Sequence, residues 1–72
     1  MISYEPFWDT LQRSQETTYT LIVNYHISSS TIDRLRKNKT LNTTTINDLC
    51  RILHCPVESI IKYIPSDEDQ LL

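Results

Sequence analysis

Apolar residues recur along this chain in short groups at helical spacing, with polar runs between them. Tyr4, then Phe7 or Trp8, then Leu11 fall one turn apart and predict a first helix over 5–14. Pro6 suits its first turn, where the missing N–H is an orphan anyway. Residues before Tyr4 are expected to fray or to lie across the domain surface. Leu21 and Tyr25 share one helical face and predict a second helix over 18–25, capped by Thr17. Ile32 and Leu35 define a third over 29–37, with Ser28 or Ser29 as cap, and Ile27 closes the corner between the two. Ile46, Leu49, Cys50 and Leu53 predict a fourth helix behind a cap at Asn42 or Thr43. Val57, Ile60, Ile61 and Ile64 predict a fifth, opened by Pro56 or Val57 and ended by Pro65. Nothing spaces like a strand hairpin. The expected architecture is all-α, five short helices in one compact domain over 1–65. An acidic tail over 66–72 is expected to be disordered in the free chain.

The chain has 72 residues and no glycine. A domain of this size buries only about 60 % of the surface its unfolded form exposes, so helix caps matter to it. Without glycine, the corner at Asn24-Tyr25-His26 requires a residue with a Cβ in the left-handed region. His26 or Asn24 must take it. No apolar run approaches the roughly 20 residues of a membrane span, and no basic-then-apolar leader opens the sequence. A cytoplasmic protein with no membrane partner is expected.

The formal net charge of −2 is unevenly spread. Arg34, Arg36, Lys37 and Lys39, set against Asp33, give residues 28–40 a net +3, and the remainder of the chain carries −5. A local basic patch is what contacts phosphate. Arg36 and Lys37 also suit the negative end of a helix dipole, an interaction worth about 0.3–1 kcal/mol. Arg34 stands nearer mid-helix and is not accounted for that way.

Cys50 and Cys55 are five residues apart across a helix end, poorly placed to bridge, and Cys50 reads as a small core residue. With His54 they lack the fourth ligand of a closed zinc site, so no metal or other cofactor is expected. Neither they nor His26 has the oxyanion arrangement or partners that catalysis needs, and an enzyme is excluded. No small-molecule substrate is implied.

LIVNYHISSSTIDRLRKNK followed by TTTINDLCRILHCPVESIIKYIP resembles the lambda-repressor-like (Cro-type, or XRE) helix-turn-helix regulators of bacteria and phage. The similarity is to small single-domain members. It includes Leu49, Cys50, Leu53 and Cys55 in the fourth helix and Tyr63, Ile64 and Pro65 at the end of the fifth. It covers residues 7–65. The resemblance implies a sequence-specific regulator of transcription, such as a repressor, acting on double-stranded DNA. Helix three would enter the major groove with Ser28, Ser29, Ser30, Asp33, Arg34 and Lys37 toward the bases and flanking backbone. Thr18, Lys37, Lys39, Asn42 and Thr43 would grip phosphates. Departures stand at His26 (family glycine or asparagine), Ile22 (a small residue) and Thr18 (often glutamine). Surplus apolar surface on the fifth helix, at Ile61, Tyr63 and Ile64, predicts a homodimer matched to a palindromic site. The alternative, suggested by the acidic balance and the departures, is a protein-interaction module of the same fold, an antirepressor or antitoxin-like partner.

Overall fold

Thr17, Ser28 and Asn42 each turn a side-chain oxygen onto the amide three residues on, at 3.2, 3.1 and 2.8 Å, and a helix starts after each. At Thr17 the arrangement is reciprocal, because the Thr20 hydroxyl accepts from the Thr17 amide at 2.8 Å. These caps open α2 (Thr18–Tyr25), α3 (Ser29–Arg36) and α4 (Thr43–Leu53). The first helix, α1 (Glu5–Arg13), has Pro6 in its first turn and no side-chain cap. The computed structural model describes residues 1–69.

In a chain without glycine, three other residues among those described take the left-handed conformation: His26, Asn38 and His54, at φ 59°, 53° and 52°. Each follows a helix and lets the next amides fold back onto its last turn. Ile27 N–H donates to the Leu21 carbonyl at 3.0 Å, Lys39 N–H to Arg34 at 2.9 Å, and Cys55 N–H to Cys50 at 3.1 Å. A Cβ in this region is costly, and His26 is exposed with no side-chain hydrogen bond among the described residues. His26→Gly is therefore expected to raise stability by about 0.5–1 kcal/mol, after the larger unfolded-state entropy of glycine is deducted. A urea midpoint that stays put or falls would refute the strain at this corner.

The core joins all four helices. Phe7, Leu21, Leu35, Leu49 and Ile60 are fully buried, with Tyr4, Leu11, Ile32 and Ile52 nearly so. Of the two aromatic candidates in α1, Phe7 is the inner one. Trp8 meets it edge to face, with ring centroids 4.9 Å apart. Tyr25 is not the core residue its spacing suggested: it is 40 % exposed and donates its phenol to Glu16 at 2.9 Å. That bond, and then the Glu16 charge, raise the Tyr25 phenol above its ordinary range.

The fifth helix is not formed. Val57–Ser59 makes one 3-10 turn, and Lys62–Tyr63 is a strand, β2, antiparallel to β1 (Ile2–Ser3). Ile2 lies opposite Tyr63 and Ser3 opposite Lys62, so the segment expected to fray is paired. The Ile64 amide extends the ribbon, donating to the Met1 carbonyl at 2.8 Å. Pro65 and pairing with the distant β1 explain the change. The residue before Pro65 is pushed out of the helical region, and β1 supplies the backbone partner of the extended Lys62–Tyr63. The all-α expectation thus becomes four α-helices and a two-stranded ribbon. The tail expected to be disordered falls partly on 70–72, outside the described residues; Asp69, its last described residue, lies 2.7 Å from the Met1 nitrogen. No helix among the described residues is long and apolar enough to cross a membrane.

Candidate nucleic-acid interface

Ile32 and Leu35 anchor α3 to the core, which turns its other side outward. Ser30, Asp33, Arg34 and Lys37 fall at i, i+3, i+4 and i+7, one helical stripe, and all are exposed. Trp8 secures the far end of this helix. Its indole N–H donates to the Leu35 carbonyl at 3.4 Å, and the Arg36 guanidinium lies 5.8 Å over its ring.

The three cations of α3 and its C-cap are therefore not equivalent. Arg36 is held over Trp8. Lys37 pairs with Asp33 at 3.1 Å. The Arg34 guanidinium has no hydrogen bond or ion pair among the described residues. Lys39 follows the left-handed Asn38, exposed, with its ammonium likewise unpaired among the described residues.

The remaining candidates sit at helix starts. Ser28 caps α3, and its hydroxyl is shared with Ser30 and Thr31 at 3.0 and 2.9 Å, so it is largely committed to the cap. Ser29 is exposed in the first turn of α3. Thr18 is the first residue of α2 and half-buried. Asn42 spends its side-chain oxygen on the Thr45 amide at 2.8 Å, which leaves its NH₂ outward, and Thr43 is exposed at the start of α4.

A residue that local pattern does not single out shapes this surface. Tyr4, almost fully buried, donates its backbone N–H to the Asn38 side-chain oxygen at 2.9 Å and its phenol to the Lys39 carbonyl at 2.6 Å. Burial raises the Tyr4 phenol above its ordinary range, against a smaller lowering by the Leu41 amide, so it is a donor throughout the neutral range. These contacts span 34 and 35 residues of sequence, beyond the reach of any spacing rule.

Three expected surface residues lie on the ribbon side: Tyr63 is 66 % exposed, and Ile61 and Ile64 are half-buried. Cys50 and Cys55 are free and half-buried. Burial, and then the neighbouring Cys50, push the Cys55 thiol up, away from the thiolate a nucleophile requires. Among the described residues no group of three metal-ligating side chains comes together.

The family model of the Cro/C1-type HTH DNA-binding domain matches residues 8–66. A solved structure, that of the transcriptional regulator VanUg in its Form II crystal, superposes with a TM-score of 0.80 at 28 % identity. The match covers 90 % of this chain and 87 % of that one. No curated protein matches the chain.

Proposed function

Since the chain belongs to the Cro/C1-type helix-turn-helix DNA-binding family, we propose that it is a sequence-specific transcriptional regulator that reads the major groove with α3. The observation that carries this reading is the Arg34 guanidinium, unpartnered among the described residues, on an exposed stripe where Arg36 lies over Trp8 and Lys37 pairs with Asp33. Arg34 would donate two hydrogen bonds to guanine O6 and N7. Ser30 and Ser29 are the less specific readers beside it, and Ser28 chiefly sets where α3 starts. Asp33 fixes Lys37, whose ammonium reaches the flanking backbone. Lys39, Thr18, the Asn42 NH₂ and the Thr43 amide grip phosphates and set the register. One such helix binds weakly, and a homodimer on a palindromic site supplies the rest. Its contact would run over the β-ribbon, where Tyr63 stands exposed beside Ile61 and Ile64.

A protein-interaction module of the same fold is the second reading. The exposed apolar residues Tyr19, Ile22 and Val23 on α2 favour it. Fluorescence anisotropy on a random-sequence duplex across salt separates the two. Phosphate contacts make affinity fall steeply with salt, and Lys39→Ala should weaken every sequence alike and reduce the log–log slope by about 0.9. Binding that ignores salt, or is undetectable, would support the second reading.

A further inference from the structure

The loop between α3 and α4 carries Lys39. It borders an open cleft of about 320 Å³ lined chiefly by Ile2, Tyr4, Leu41, Ile46 and Ile61. Leu41 packs against the core at one end of the loop, and hydrogen bonds hold the exposed residues before it. Tyr4 makes two of these bonds: its backbone N–H donates to the Asn38 side-chain oxygen at 2.9 Å, and its phenol donates to the Lys39 carbonyl at 2.6 Å. The Lys39 amide also donates to the Arg34 carbonyl, which ties the loop to the end of α3. Tyr4 is itself almost fully buried in the core and placed where β1 passes into α1. Residues 38 and 39 are thus tied to the core of the domain through Tyr4.

We propose that Tyr4 is a positioning residue for DNA binding, a core side chain that holds the 38–41 loop so that the Lys39 ammonium stands ready for a phosphate. It rests on the DNA-binding reading above and adds a residue that touches no DNA. The benefit is preorganisation: a loop already ordered does not lose that freedom on binding. Tyr4→Phe keeps the ring in the core and removes the phenolic bond to the Lys39 carbonyl. In the free protein, exchange of the Lys39 amide, which donates to Arg34, should quicken about 2- to 10-fold as the loop loses one hydrogen bond.

The decisive comparison is a double-mutant cycle of Tyr4→Phe and Lys39→Ala, read by anisotropy on a random-sequence duplex at several salt concentrations. Tyr4→Phe should weaken binding about 2- to 10-fold and lower the salt slope toward that of Lys39→Ala. In the Lys39→Ala background it should change affinity by less than about two-fold. Additive losses, or a loss with an unchanged salt slope, would show that Tyr4 acts only through stability and overturn the proposal. Lys39→Ala weakening binding while Tyr4→Phe does not would overturn it too, with the DNA-binding reading intact. If Lys39→Ala itself leaves binding unchanged, the phosphate role of Lys39 fails and the proposal with it. Should Tyr4→Phe not fold, Asn38→Gly removes the other pin while suiting the left-handed backbone, and the same non-additivity with Lys39→Ala is required.

Discussion

Phe7→Ala is expected to destabilise the domain by about 3–5 kcal/mol, the cost of emptying a large aromatic site in a core that cannot collapse around it. Phe7 is fully buried. It lies edge to face with Trp8, which in turn holds the Leu35 carbonyl and the Arg36 guanidinium, so the loss reaches the end of α3. A chain of 72 residues has a total stability of about 4–11 kcal/mol, so the change removes between about a quarter and all of it. The melting temperature should drop by more than about 12 °C, given about 4–8 °C per kcal/mol for a domain this small. Phe7→Leu should cost much less, because it keeps most of the volume. A drop below about 4 °C for Phe7→Ala would mean that the core is organised around another side chain.

Arg34→Ala is expected to leave the fold untouched and to remove base preference at one position. Arg34 is exposed and its side chain has no intramolecular partner among the described residues, so its removal should shift stability by less than about 0.5 kcal/mol. A bidentate arginine–guanine contact discriminates by about 1–3 kcal/mol, or about 5- to 150-fold between the right and wrong base. Affinity for the preferred site should fall by that factor, while affinity for random duplex falls only as loss of one charge requires. Arg34→Lys should not restore the preference, because an ammonium cannot match two acceptors in a fixed plane. Titrating a preferred and a random duplex with each variant checks this. Equal losses on both duplexes would reassign Arg34 to the phosphate backbone.

Much of this arrangement is legible in the sequence, because its determinants are local. Thr17 caps α2 as the polar step before an apolar turn predicts, and His26 takes the left-handed corner that the absence of glycine demands. Asn38 and His54 meet the same demand. The Asp33–Lys37 pair follows from four-residue spacing on a helix. The ribbon was not legible. Val57, Ile60, Ile61 and Ile64 satisfy a helical spacing, and what makes the last of them extended is a partner strand about sixty residues away in sequence together with Pro65. Tyr25 fits the inner seam by period but turns out toward Glu16, since Leu21 and Ile27 already cover that side of the core. The Tyr4 pin on Asn38 and Lys39 is hidden for the same reason as the ribbon: it joins residues that only the finished fold brings together.

The central claim, that α3 reads base edges with Arg34, is tested most directly by selecting bound sites from a pool of random duplex DNA with the wild-type chain and with Arg34→Ala. The wild type should enrich a palindromic sequence with guanine at a fixed position in each half, and Arg34→Ala should lose the preference at that position while keeping the others. Identical enriched sequences from both proteins, or none from the wild type, would contradict it.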